Sequence, residues 1–147
     1  MKIFLAGAVS SANKEQIEKY EIYKQCITKT FNELSLITPD DIWDYRSKCI
    51  KKNPKADKNE IDAIMVSYDL KQVEESDLII CDLSELSTGM GIELGVAYKK
   101  QKKVVFFYKK GSHISNMITG AFSGSIFFEY NNNAELEKKL DCELKNY

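Results

Sequence analysis

Asp77-Leu-Ile-Ile-Cys-Asp-Leu-Ser-Glu-Leu-Ser-Thr-Gly-Met-Gly-Ile-Glu-Leu-Gly-Val-Ala97 is the stretch on which the fold turns. Its short apolar run, Leu78 to Leu83, predicts a strand buried on both faces, as the inner strands of parallel sheets are. A loop bearing serine, threonine and glycine follows, and then an apolar run that predicts a helix. Gly89, Gly91 and Gly95 bracket one carboxylate, Glu93, about a turn and a half into that helix. Each helix-interior glycine costs roughly 0.5–1 kcal/mol relative to alanine. Three of them imply close approach of the backbone to a ligand or to a neighbouring element. A carboxylate at a helix start, at the end of a buried strand, stands where open α/β sheets bind ligands.

Outward from this segment, strands and helices alternate. Lys2 to Gly7 predicts a first strand. Asn13, with Gln16 three residues on, suggests a capping box for a helix whose apolar positions are Ile17, Tyr20, Tyr23 or Lys24, Ile27, Phe31 and Leu34. Leu36 to Thr38 is a short second strand stopped by Pro39. Residues 40–57 are polar and read as an irregular loop containing Trp43, Tyr45 and Arg46, of a length more often functional than idle. A helix over Asn59–Ser76 precedes the Asp77–Leu83 strand, and Gly89–Lys100 is the helix after it. A fourth strand (Lys103–Tyr108), a short helix (Ile114–Ala121), a fifth strand (Ser125–Tyr130) and a closing helix (Asn133–Asn146) complete the chain. The alternation predicts an α/β fold of parallel strands with right-handed crossovers and helices on both faces. No repeat or linker interrupts it, so residues 1–147 are expected to form one domain.

The totals exclude several classes. The 147 residues carry 44% hydrophobic content and a formal charge of −1, so neither disorder nor a nucleic-acid polymer as partner is indicated. No apolar run approaches the ~20 residues that span a bilayer, and no signal pattern is present, so a cytoplasmic protein without membrane contact is expected. Cys26, Cys49, Cys81 and Cys142 show no Cys-x-x-Cys spacing and read as buried thiols. The single histidine, His113, cannot form a histidine-based metal cluster, and no metal or other cofactor is expected. Gly89-Met-Gly91 with Gly95 lacks the dinucleotide spacing, and no P-loop is present. A phosphoacceptor reading of Asp82 lacks an acidic partner in Ala6-Gly-Ala-Val-Ser-Ser11.

The candidate chemistry rests on few residues. Glu93 is either a catalytic acid or an acid favoured by the helix dipole, worth ~0.3–1 kcal/mol. Asp69 interrupts the apolar row Met65, Asp69, Val73, so it is either paired, facing a cavity, or a solvated edge acid. The helices bearing these acids flank the third strand, so both side chains can converge on one pocket. Ser87 and Thr88 precede a helix, with Thr88 the favoured N-cap; a hydroxyl beside free helix N–H groups is also an anion site. Ser10, Ser11 and Ser115 add hydroxyls at strand ends. Trp43 either stacks on a planar base or covers the core edge. Arg46, the single arginine, reads first as an exposed ion pair.

Ile3-Phe-Leu-Ala-Gly7, Asp69, Ser87-Thr-Gly-Met-Gly-Ile-Glu-Leu-Gly-Val-Ala97 and Ser115-Asn-Met117 together resemble the nucleoside 2-deoxyribosyltransferase superfamily. The likeness runs in order through nearly the whole chain and is nearest to its 2′-deoxynucleoside 5′-phosphate N-hydrolase branch. The resemblance implies a flavodoxin-like (Rossmann-like) three-layer sandwich with a five-stranded parallel sheet, and a homodimer with shared active sites. It also implies Glu93 as nucleophile on the anomeric carbon and Asp69 in substrate positioning and base protonation. Phe4, Gly7, Ala8, Ser10, Ser87, Gly89, Ser115 and Met117 fall on substrate-binding positions, Ser115 reaching the neighbouring subunit. Transferases carry an acid at the Ser87 position and an amide at the Ser115 position; serines there resemble the hydrolases, since an acid would repel a 5′-phosphate. Two positions depart from the pattern. Phe4 replaces a tyrosine that orients the glutamate, and Ser10 stands where the hydrolases place a phosphate-binding arginine, with Lys14 and Arg46 as candidate substitutes. The expected function is hydrolysis of the N-glycosidic bond of (2′-deoxy)nucleoside 5′-monophosphates. The alternatives are base exchange on deoxynucleosides and a non-catalytic nucleotide-binding module.

Overall fold

The computed structural model describes residues 1–7, 14–31, 33–85 and 87–147. Along them run β1 (Lys2–Ala6), α1 (Lys14–Thr30), β2 (Ser35–Ile37), α2 (Pro39–Lys52), α3 (Lys58–Glu75) and β3 (Leu78–Asp82). Then follow α4 (Thr88–Lys99), β4 (Val104–Lys109), α5 (Asn116–Ala121), β5 (Ile126–Tyr130) and α6 (Asn133–Leu144). All five strands are parallel, in the order β2-β1-β3-β4-β5, which is the flavodoxin-like arrangement. Every residue of β3 is buried because helices cover both faces. Leu78 and Ile80 pack with Tyr20, Tyr23 and Ile27 of α1 and Leu136, Leu140 and Leu144 of α6. Ile79 and Cys81 point the other way, into the core formed with Ile42, Val73, Met90, Leu94 and Ala97. Strand order reverses between β1 and β3, so a crevice opens above their carboxyl ends.

Of residues 40–57, expected to form an irregular loop, 40–52 are instead helical and 53–57 stay irregular. Thr38 and Asp41 form a capping box, Pro39 sits in the first turn, and a fourteen-residue helix follows. Asp40 and Asp41 at its start and Lys51 and Lys52 at its end complement the helix dipole. Its buried residues are Ile42 and Cys49, seven apart, a seam too narrow to register as an apolar face. Packing on α3 supplies what amphipathicity lacks. In α1 the buried face is also displaced: Ile17 is 55% exposed, while Gln16, Lys19, Tyr20, Tyr23, Cys26 and Ile27 turn inward. Asn13 lies outside the described residues, and Gln16 donates to Glu85. Three cysteines are buried as expected, but Cys142 is exposed.

Lys19 and Gln16 turn inward because polar groups await them at the end of β3. The buried Asp82 carboxylate accepts from the Tyr23 hydroxyl at 2.8 Å, the Tyr130 hydroxyl at 2.9 Å and the Ser84 N–H at 2.8 Å. The Lys19 ammonium lies 3.3 Å away. Ser84 Oγ donates on to Tyr130 at 2.9 Å and accepts the Lys109 N–H at 2.9 Å. Burial and the Asp82 charge push both phenols above their ordinary range. One carboxylate thus joins α1, β3, β4 and β5. Asp82→Ala would leave a buried ammonium and two hydroxyls without their acceptor. It should cost about 3–5 kcal/mol of stability in urea denaturation; a loss under ~1 kcal/mol would contradict this role.

Candidate active site

The crevice holds a cavity of about 150 Å³ lined by Phe4 and Gly7 from the end of β1, and by Pro39, Ile42 and Trp43 of α2. Met65 and Asp69 of α3, Ser87, and Gly89, Met90 and Glu93 of α4 close it. The two acids picked from sequence therefore meet. Each arrives for a local reason. Asp57 and Glu60 cap α3 reciprocally, which sets the phase that turns Val73 into the core and Asp69 to the cavity edge. On α4, Ser87 rather than Thr88 is the N-cap: its Oγ accepts the Met90 N–H at 3.1 Å, and Thr88 begins the helix. With Met90, Leu94 and Ala97 buried, Glu93 is left at the rim of the core facing α3.

Gly7 is required by space. A Cβ there would lie 1.6 Å from the Tyr20 hydroxyl, so α1 brings a phenol against the end of β1 where Phe4 itself offers none. Gly89, Gly91 and Gly95 have a different basis. A Cβ on any of them meets nothing within 4 Å, so close packing against a neighbouring element of the described residues is not their reason. They leave the outer surface of α4 open.

The remaining expected positions fall elsewhere. Ser115 caps α5, accepting the Met117 N–H at 3.3 Å, and Met117 is 79% exposed; neither lines the cavity. Ala8 and Ser10 lie outside the described residues. Arg46 is no free cation for a phosphate, because it is held by Asp62, and Lys14 is exposed near Glu18. Pro39, Ile42, Met65 and Met90 are lining residues the sequence did not single out; the capping box at Thr38 was the signal available for the first two.

The electrostatics of the acid pair are unusual. Asp69 Oδ1 and Glu93 Oε2 are buried and have no hydrogen-bond partner among the described residues, and the two carboxyls stand close enough to shift one another's protonation. Burial, then the Asp69 charge and hydrogen bond, pushes Glu93 up to about 8. Burial lifts Asp69 to about 6, opposed by its hydrogen bond with Glu93. Two buried carboxyls side by side disfavour double ionisation, so the pair holds on to a proton to higher pH than free carboxyls do. Such a pair can present a carboxylate and a carboxylic acid to one bound molecule at once.

A family model described as nucleoside 2-deoxyribosyltransferase matches residues 3–140. The 5-hydroxymethyl-dUMP N-hydrolase of Homo sapiens is 33% identical over 84 residues, 54% of this chain and 48% of that protein. The match thus spans about half the length of that relative. Among solved structures, the CMP N-glycosidase of Clostridium botulinum superposes with a TM-score of 0.64 at 19% identity, over 96% of this chain and 99% of the other. A 2-deoxyribosyltransferase from Bacillus psychrosaccharolyticus gives 0.64 at 21% identity, over 95% and 96%. At these identities the two structures share the fold.

The raised pair has a measurable consequence. The folded state holds a proton that the unfolded chain, with ordinary carboxyls, releases, so stability falls as pH rises from about 4 through about 8. Glu93→Gln removes that titration. It should stabilise the protein by on the order of 2–4 kcal/mol at pH 9 while changing little near pH 4. Urea denaturation at both pH values checks this, and a variant no more stable than the parent at pH 9 would show that Glu93 is not held protonated.

Proposed function

The chain belongs to the nucleoside 2-deoxyribosyltransferase family, and we propose that within it this protein is an N-glycosidase of (2′-deoxy)nucleoside 5′-monophosphates, releasing the free base and (deoxy)ribose 5-phosphate. The observation that carries the reading is the buried Asp69–Glu93 pair, its inner oxygens without a partner, in a largely apolar cavity. A hydrolase of this bond needs a nucleophile and an acid together. Glu93 Oε attacks C1′ as the C1′–N bond breaks, and the proton of the pair, passed to Asp69, goes to the departing base nitrogen. Water then adds at C1′ while Asp69 takes its proton, and the ester electrons return to Glu93 as carboxylate. Two displacements retain configuration. The apolar lining keeps water from the first step and strengthens the charges that form.

Ser87 Oγ and the first amides of α4 form the phosphate end of the site, since a helix N-terminus with a hydroxyl favours an anion. Ser115 and Met117 do not line their own protomer's cavity. The exposure of Met117, and the open surface of α4 at Gly91, Ile92, Gly95 and Tyr98, support a homodimer in which α5 of one subunit completes the site of the other. We read residues 1–147 as one domain working in the cytoplasm; no described helix is long and apolar enough to cross a membrane.

Three outcomes follow. Glu93→Ala abolishes turnover while largely retaining nucleotide binding, measured by base release and by calorimetry; activity within threefold of the parent would refute the nucleophile. Asp69→Asn lowers base release by roughly 10²-fold or more with the fold intact. The parent's kcat/KM should fall above a pH of about 8 as the pair loses its proton, and Asp69→Asn should remove that fall. An unchanged rate with reduced stability would make Asp69 structural. Finally, 5′-monophosphates are hydrolysed at least about tenfold better than nucleosides, the worth of one charged hydrogen bond, and Ser87→Asp reverses the preference. Equal rates, or strong exchange when a second base is added, would place the protein with the transferases.

A further inference from the structure

Trp43 is the chain's one tryptophan and Arg46 its one arginine, and the structure puts them together at the cavity wall. Trp43 lines the cavity yet is 46% exposed, an unusual position for an indole with core available nearby. Arg46, one turn on, sets its guanidinium 5.9 Å from the Trp43 ring centroid. That guanidinium is not free to wander. Its Nε and Nη2 both donate to Asp62 Oδ1 on α3, at 3.0 and 2.8 Å, and Lys58 holds the other carboxylate oxygen at 2.7 Å. Tyr45 stacks on Tyr68 at 3.8 Å and 11°, a second tie between α2 and α3. Tyr68 immediately precedes Asp69, so the ties that place the indole also fix the helix that carries the acid. The wall built by Pro39, Ile42, Trp43 and Met65 is apolar, with Asp69 at its inner end.

An indole backed by a fixed cation, on an apolar wall of the cavity, suits a flat aromatic ring. We infer that Trp43 is the stacking platform for the nucleobase, and that the Arg46–Asp62 pair is the device that holds the platform in place. The inference rests on the nucleotide reading of the site. It makes Trp43 a specificity residue that meets the base, and Arg46 a positioning residue acting through Trp43. Stacking reads the π-face that every base has, so affinity follows ring size more than ring substituents. The base is thereby held beside Asp69, the group that must reach its departing nitrogen.

Because Trp43 is the only tryptophan, its fluorescence reports the contact directly. In the Glu93→Ala protein, dAMP, dCMP, adenine and cytosine should quench the emission saturably. 2-Deoxyribose 5-phosphate should bind by calorimetry without quenching. In the otherwise unaltered enzyme, Trp43→Ala should raise KM for the nucleotide roughly five- to hundredfold, Trp43→Phe should restore most of the loss, and Arg46→Lys should raise KM more than it lowers kcat. A role confined to folding would move stability and the amount of active protein, without separating KM from kcat. Turnover with no quenching by bound nucleotide overturns the platform and leaves the glycosidase reading standing. Quenching by nucleotides and free bases with no turnover establishes the platform and removes the glycosidase reading. Equal quenching by 2-deoxyribose 5-phosphate, or neither quenching nor turnover, overturns the inference.

Discussion

The carboxylate of Asp82, buried at the end of the central strand, fixes where β3 stops and where the chain turns toward α4. An ionised acid out of water must be given donors, and this one has two phenols, a backbone N–H and an ammonium. Those donors come from three separate elements, so satisfying one charge sets α1, β3 and β5 in register at the carboxyl end of the sheet. The loop from Ser84 to Ser87 starts from that anchored point, and Ser87 then caps the helix that presents Glu93.

Across the sheet the same problem is left unsolved. Asp69 and Glu93 are also withdrawn from water, but their inner oxygens have no hydrogen-bond partner among the described residues. Burial therefore pushes both carboxyls above their ordinary range. Asp82 and the Asp69–Glu93 pair thus separate two uses of a buried acid. Where donors abound the carboxylate is structural; where they are withheld, it retains both basicity and a proton to give. A pocket also borders the Asp82 network, lined by Lys19, Ser84 and Tyr130, so what points to chemistry at the second arrangement is that its two carboxyls line the cavity with oxygens left unpartnered.

Much of this was legible in the sequence because it is local. The buried β3 run, the helix after it and the break in the apolar row at Asp69 are periodicity signals, and they carried the parallel sheet and both acids. Features set by contacts between distant residues were not. The helix α2 has only Ile42 and Cys49 inward, so its polar composition resembled a loop, although Thr38, Pro39 and Asp41 spelled its start. Ile17 satisfies the helical period yet faces outward, because Lys19 and Tyr23 are drawn in by Asp82. The partnership of Arg46 with Asp62 and the approach of Tyr20 to Gly7 depend on tertiary packing that no spacing encodes. The glycines of α4 stand out in the sequence, but none is packed against a neighbouring element: Gly89 lines the cavity, and Gly91 and Gly95 lie on the exposed surface of the helix.

In the proposed mechanism Glu93 forms a covalent bond to the sugar, Asp69 supplies the proton and Trp43 holds the base in line. Trapping that bond tests the claim most directly. A 2′-fluoro-substituted 2′-deoxynucleoside 5′-monophosphate should slow both displacements and let the glycosyl ester accumulate. Intact-protein mass spectrometry after brief incubation, followed by peptide mapping, should show one fluorosugar-phosphate adduct per chain, located on Glu93, with the free base released in equal amount. Base release without any adduct, or an adduct on a residue other than Glu93, would contradict the account.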